Sequence, residues 1–454
     1  MTRRRLWVFR LIVLAIAVIL PLVAGEAMVR IIFRDGGTTT LGGPGGQEFV
    51  YHYLDSVTER RTQMVTGPKA PGVERILILG DSITWGIGVR DWRQTYPNTL
   101  LNLLDHHTDR RFDMEVYAYG GKNIDGHARA VETKAEELAP DFIIYQFYNN
   151  DIEIDVQGAR WHFWWQQWRG HSWLASHSWL YESLDRLLSL RAVAKGWAGH
   201  PSYAQHLVND YVEGSRGWTM FADQFHRWAA YSNAYAAHVL MFLYPQVPFS
   251  GRYPLEDLNA RMRAMARPHL LTYPAWWMGR RVGQNVADKA ASGGYARQSD
   301  GQAGVLAYGP TIPLGRGHYD IAERFRLDGP ASGAVEAIEI VADGRVLAHR
   351  DVAAADCAPT GGGAGTWCTV TVPIDLAAVL TKQVEWRISV APGVKLSIDS
   401  VSVPVNYDHL EVLDLKDRLN TFDTHSSIFD SHPNAHAHAE VAKALAEWVL
   451  SKKS

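Results

Sequence analysis

Cysteine is nearly absent from this chain: its 454 residues include two, Cys357 and Cys368. That excludes a disulfide-dense scaffold and leaves too few thiolates for a cysteine-built zinc site. A dominant charge is missing too. Lys and Arg number 45 against 48 Asp and Glu, for a formal net charge of −3, which gives no reason to invoke a nucleic-acid partner. No glycine-rich phosphate loop is evident, which counts against a nucleotide cofactor; no cofactor is expected. Charged residues make up only 20% of a chain with 17 tryptophans, a composition for packed aromatic cores rather than disorder. At this length, two domains plus extras are expected.

One long apolar run stands at the start. Arg3, Arg4 and Arg5 precede Leu6–Ala24, which is long enough to span a bilayer, with Arg10 close enough to its start to snorkel. The positive-inside rule leaves the amino terminus in the cytoplasm and the remainder on the periplasmic or extracytoplasmic side. The expectation is a single-pass protein of the inner membrane. A cleaved signal peptide competes, since Ala24-Gly-Glu-Ala27 passes as a poor cleavage site. The length of the run and its amphipathic continuation, Met28–Phe33, favour an uncleaved anchor. Either way the bulk is exported. In that setting Cys357 and Cys368, flanking a glycine-rich loop between strand-like runs, read as a hairpin-closing disulfide. Two unpaired buried thiols are the alternative.

Beyond a linker at 34–70, strand–helix alternation begins near Arg75 and continues past Val239–Pro245, a buried strand stopped by proline. After about Pro268 the pattern changes to short alternating runs punctuated by glycine, such as His318–Leu327, Ala337–Leu347, Thr366–Val372, Val384–Val390 and Lys395–Val403. Such strands at regular spacing suggest a β-sandwich, and Asp343-Gly344 is a favoured hairpin turn. Leu410–Leu415 then resumes the earlier pattern. The expected division is an anchor at 1–33, a core split into 71–267 and 406–454, and an inserted sandwich at 268–405. A tryptophan-rich helical insertion is expected at about 156–235.

The chemistry gathers at the two ends of the split core. Arg75-Ile-Leu-Ile-Leu-Gly-Asp-Ser-Ile-Thr-Trp-Gly86 reads as a buried parallel strand breaking into a turn. Ligands of open α/β sheets bind beyond such strand ends, so Ser82 is placed as a nucleophile; alternatively Asp81 or Ser82 caps the next helix. Far away, Asp430-Ser-His432-Pro-Asn reads as a loop before an alanine-rich helix. An imidazole can take a serine's proton during attack, and a carboxylate on its other nitrogen orients it.

Gly80-Asp81-Ser82-Ile83 together with Asp430-x-His432-Pro-Asn resembles the SGNH (GDSL-type) hydrolases. Two internal blocks add to the resemblance: Tyr119-Gly120-Gly121-Lys122, and Tyr148-Asn149-Asn150-Asp151, with Tyr148 where the family has glycine. The resemblance implies a three-layer, flavodoxin-like parallel sheet. It implies Ser82, His432 and Asp430 as catalytic triad, although Asp430 departs from the commoner Asp-x-x-His spacing. The Ser82 and Gly121 amides and the Asn150 side chain would form the oxyanion hole, with Gly120 in reserve for Gly121. Donors aimed at a developing oxyanion are worth roughly a hundred- to a thousandfold in rate each. The inserted sandwich resembles jelly-roll carbohydrate-binding modules in architecture alone, so a spacer or docking role stays open.

Nine of the 17 tryptophans fall between Trp161 and Trp228, directly after the Asn150 block. Trp161, Trp164 and Trp165 could wall a saccharide cleft, sit at the membrane interface or simply pack a helical cap. His436 and His438, with His425 nearby, read as surface or supporting residues, because positions two apart on a helix do not face each other. Asp151 reads as an anchor of its loop. The sequence thus leads to an exported esterase acting on acylated carbohydrate, with an O-acetyl group as the expected acyl group and polysaccharide biosynthesis or export components as partners. An O-acetyltransferase or an inactive polysaccharide-binding protein are the alternatives.

Overall fold

The computed structural model describes residues 3–32, 69–87, 89, 91–118, 122–152, 164–196, 203–246, 251–357, 366–421, 424–427 and 430–453. The chain opens with α1 (Arg3–Ile32), a single helix of 30 residues. Its Arg5–Ile31 stretch is long and apolar enough to cross a membrane, and it continues unbroken through Ala24–Ala27.

Five strands form a parallel sheet: β1 (Val73–Gly80), β2 (Arg111–Ala118), β3 (Phe142–Phe147), β4 (His238–Leu243) and, much later, β14 (Leu410–Asp414). Their spatial order is β2-β1-β3-β4-β14. In β1 the residues Ile76 to Leu79 are all buried, the even pair joining one apolar cluster and the odd pair another. That is how a strand covered on both faces reads. The short α2 (Ser82–Trp85) follows β1, and α3 (Tyr96–His107) with α11 (Ala435–Ser451), which comes after the short α10 (Lys416–Leu419), covers the Ile76 and Ile78 face. The other face is covered by α4 (Ile124–Leu138) and α8 (Arg216–Tyr235). Between β3 and α8 lie α5 (His171–His177), α6 (Trp179–Lys195) and α7 (Tyr203–Asp210).

After α9 (Glu256–Met265) the chain leaves this sheet and builds an antiparallel one. Its nine strands are β5 (His269–Pro274), β6 (Gln284–Ala287), β7 (Tyr295–Gln298), β8 (Gly304–Tyr308), β9 (Ile312–Leu327), β10 (Ala334–Ala342), β11 (Arg345–Ala353), β12 (Cys368–Val390) and β13 (Leu396–Val405). The arrangement is consistent with a β-sandwich. Asp343 and Gly344 turn β10 into β11 with φ of 47° and 79°, the doubly left-handed geometry that a tight hairpin requires. One correction concerns Thr366–Val372 and Val384–Val390, two runs in the sequence reading. Most of both belong to the single strand β12, whose pairing with β9 shifts register at Leu376/Leu380 and Thr381/Val384. Each shift resets the alternation, so periodicity counts two strands. The Cys357–Cys368 disulfide is formed, with Cα atoms 5.3 Å apart.

Helix α8 ties the two sheets together. His226 Nε2 meets the Pro313 carbonyl at 2.7 Å and Nδ1 meets the Tyr407 hydroxyl at 2.8 Å. Burial lowers the His226 pKa to about 3, so the neutral ring donates through Nε2 and accepts from Tyr407. On the same helix Asp223 accepts from the Tyr273 hydroxyl at 2.9 Å.

Candidate active site

Space, not flexibility, dictates Gly80: a Cβ there would lie 1.7 Å from Thr84 Oγ1 and 2.8 Å from Gln146 Oε1. The strand can therefore pass directly into α2. Gly86 closes that turn at φ 83°, where a side chain would be strained. Both sequence readings of this segment are present. Asp81 Oδ1 accepts the Ile83 N–H at 2.8 Å and caps α2, while the half-buried Ser82 has its Oγ 3.0 Å from His432 Nε2.

The position of Ser82 in the sheet matters as much as this contact. β1 and β3 are adjacent, yet the chain visits β2 on the far side of β1 before returning to β3. Strand order reverses there, which is where open α/β sheets form a crevice. The Ser82 turn lies on one side of it and the Asn149-Asn150 turn, after β3, on the other. Asp151 holds the second turn: its buried carboxylate accepts the Tyr145 hydroxyl at 2.6 Å and the Tyr148 N–H at 3.0 Å. This is the anchoring part expected of it. The Tyr211 hydroxyl donates to the Asn149 carbonyl at 3.1 Å. Asn150 Oδ1 is buried and has no hydrogen-bond partner among the described residues. Gly120 and Gly121, candidates for the remaining oxyanion donor, lie outside the described residues, as does Trp161.

His432 arrives on a two-stranded ribbon, β15 (His425–Ser427) against β16 (Asp430–Pro433), where the sequence suggested a loop. The ribbon satisfies backbone groups that the short Asp-Ser-His-Pro segment would otherwise leave to solvent. Asn434 then caps α11, accepting the Ala437 N–H at 3.0 Å. The Asp430 backbone pairs with Ser427 in this ribbon; its side chain is outside the described residues.

Sequence reasoning missed the electrostatic part of Asp81. Burial raises this carboxyl to about 6, against the opposing effects of the Ile83 N–H and of a positive charge on His432. The network behind Ser82 was also missed. Gln146 Oε1 accepts the Asp81 N–H at 3.1 Å and the Thr84 hydroxyl at 2.9 Å, and the Tyr96 hydroxyl lies 2.7 Å from Thr84 Oγ1. The Tyr96 N–H donates to His438 Nδ1 at 3.0 Å. His438 is thus a buried support and His436 is exposed. The available signal was Gln146 itself, a polar residue in the otherwise apolar run Phe142–Phe147.

Trp164 and Trp165 meet edge to face at 5.8 Å, and Trp165 Nε1 donates to Asp185 of α6 at 2.7 Å. Trp164 is 74% exposed.

No family model and no curated protein matches the chain. Among solved structures, 30% of the chain is similar to a family 35 carbohydrate binding module from Clostridium thermocellum. That likeness covers 97% of the module at 13% identity and a TM-score of 0.23. The CBM35 of Abf62 from Cellvibrio japonicus aligns over 30% of this chain and 94% of its own, at 21% identity and a TM-score of 0.23. TesA aligns over 42% of this chain and 73% of its own, at 16% identity and a TM-score of 0.24. At these scores the likenesses carry no argument about activity.

Proposed function

We propose that this chain is an exported, membrane-anchored serine esterase of SGNH type that removes O-acetyl or other short acyl groups from a polysaccharide or glycoconjugate. The observation that carries the reading is the 3.0 Å approach of His432 Nε2 to Ser82 Oγ, made at the crevice of a parallel sheet by residues 350 positions apart. The order β2-β1-β3-β4-β14 supports the flavodoxin-like part of this reading. In this reading residues 71–267 and 406–454 form the catalytic unit, and 268–405 an inserted module.

Ser82 Oγ attacks the ester carbonyl as His432 takes its proton, and the C=O electron pair moves onto oxygen. Backbone amides of Ser82 and Gly121 and the Asn150 side chain stabilise that oxyanion. Collapse expels the sugar hydroxyl, which receives the proton from His432, and leaves an acyl-serine that water resolves by the same steps. Asp430 and Asp81 are the carboxyls assigned to support the imidazolium. The carbohydrate part of the proposal rests on expected export, on the inserted antiparallel sheet and on the tryptophan-rich segment.

The test is acetate release from an acetylated polysaccharide, and from p-nitrophenyl acetate, by the full chain beside Ser82→Ala and His432→Ala. The reading requires release that both substitutions abolish. Acetate release independent of Ser82 would reject it, and p-nitrophenol release that needs an added sugar acceptor, with the acetyl group recovered on that acceptor and not as acetate, would replace hydrolysis by acyl transfer.

A further inference from the structure

The apolar helix α1 packs against α6 near its C-terminal end. Glu26, near its C-terminal end, accepts the Ser178 hydroxyl at 2.8 Å, the Trp179 N–H at 3.1 Å and the Leu180 N–H at 3.0 Å. Those amides are the orphan donors at the start of α6, and a carboxylate is the favourable charge there. Arg30 pairs with Glu26 at 2.6 Å, reaches the His177 carbonyl at 3.2 Å and lies over the Trp179 ring. Gly25 permits the close approach, since a Cβ there would already be 3.0 Å from Leu180. Helix α6 is therefore held against the last turns of α1.

The surface extending from this junction is apolar. Leu22 and Val23 of α1 with Leu174, Leu180 and Leu184 line a shared open cavity of about 640 Å³. Leu180, Leu184 and Leu188 follow one another on one face of α6 at helical spacing, and Leu184 and Leu188 are exposed, as are Trp164, Trp168 and Trp173. Such a patch on a soluble domain marks an interaction surface. Its partner follows from continuity: it adjoins a helix whose own apolar side chains are exposed along most of its length.

We propose that the segment Trp164–Leu188 rests on the bilayer surface at the C-terminal end of α1, with its exposed indoles among the lipid headgroups. Indole is amphipathic and concentrates at that depth. The proposal relies on α1 being a membrane span. It gives the Glu26–α6 contact a purpose, which is to fix the domain's orientation toward lipid.

The test is nitroxide depth measurement on the full chain in nanodiscs of phosphatidylethanolamine and phosphatidylglycerol. Labels are placed singly through Leu14→Cys, Trp168→Cys, Trp173→Cys and, on exposed Tyr295 of β7, Tyr295→Cys. The expected result is that 14, 168 and 173 collide severalfold more with oxygen than with a water-soluble nickel chelate, relative to 295. If 14 behaves as lipid-embedded while 168 and 173 match 295, the surface proposal fails and the span stands. If 14 itself is in water, both fail. Dipolar broadening between copies at 173 would assign the patch to a second chain and overturn the proposal.

Discussion

Gln146 of β3 accepts hydrogen bonds from the Asp81 backbone and the Thr84 side chain, so the end of one strand fixes the turn that carries Ser82 on its neighbour. Both donors are buried. Gln146→Ala leaves the Asp81 N–H unmet, at about 1–3 kcal/mol, while Thr84 keeps the Tyr96 hydroxyl, and it frees the turn. We expect a lowered unfolding midpoint in urea and a kcat reduced more than KM is raised. Unchanged kcat in a destabilised variant would show that the turn holds without this link.

Asp81 makes stability depend on pH in a defined direction. Its folded pKa is raised to about 6 from an ordinary 3.8, so the folded state binds more protons between those values. Its contribution is complete below about pH 4 and is lost as pH rises through about 6. Asp81→Asn keeps a capping oxygen and removes the buried charge. The variant is expected to gain midpoint over the parent at pH 7 and to lose that gain at pH 4, with lower esterase activity at both. Chemical unfolding at the two pH values measures it.

A second carboxyl pair lies far from the candidate site. Glu323 of β9 and Glu336 of β10 are buried side by side within the antiparallel sheet, and among the described residues no other side chain hydrogen-bonds to either. Burial and mutual proximity raise Glu323 well above the carboxylate range, and burial raises Glu336 to about 8. The sign matches that of Asp81, but the window extends higher: stability is full below about pH 4.5 and falls as pH rises to about 8. Glu336→Gln should flatten that fall in a thermal-melt series from pH 5 to pH 9, whereas Asp81→Asn leaves its upper part unchanged.

The disulfide closes a short loop, Cys357 and Cys368 being 11 positions apart in sequence. For a loop of this size a stabilisation of about 2–4 kcal/mol is expected. Reductant, or the Cys357→Ser/Cys368→Ser pair, should lower the Tm of the transition assigned to the antiparallel sheet. A melt insensitive to reductant would contradict this.

Particular residues show what the sequence made legible. Four consecutive aliphatics before Gly80 announce β1, because a strand covered on both faces has no polar side to alternate with. Ser82 and His432 stand out because nucleophile and base come from few residue types and each follows a strong structural boundary. Asp343-Gly344 announces its hairpin for a similar local reason. The rest depends on distant pairing. Gln146 and Tyr96 acquire their parts only once β3, β1 and α3 are packed, and nothing within the helix marks His438 as buried. The β15–β16 ribbon and the register shifts of β12 are set by partners across the sheet. The joining of Glu26 to α6 crosses more than 150 positions and leaves no local trace.

In the proposed reaction Ser82 Oγ is the atom that carries the acyl group. The measurement is peptide mass spectrometry after rapid acid quench of the full chain with p-nitrophenyl acetate, beside Ser82→Ala and His432→Ala. An acetyl adduct on Ser82 that appears within the first turnover, and is lost or greatly slowed without His432, is the predicted result. Acetate turnover with Ser82 unmodified at every quench time, or an adduct formed equally fast without His432, would contradict it.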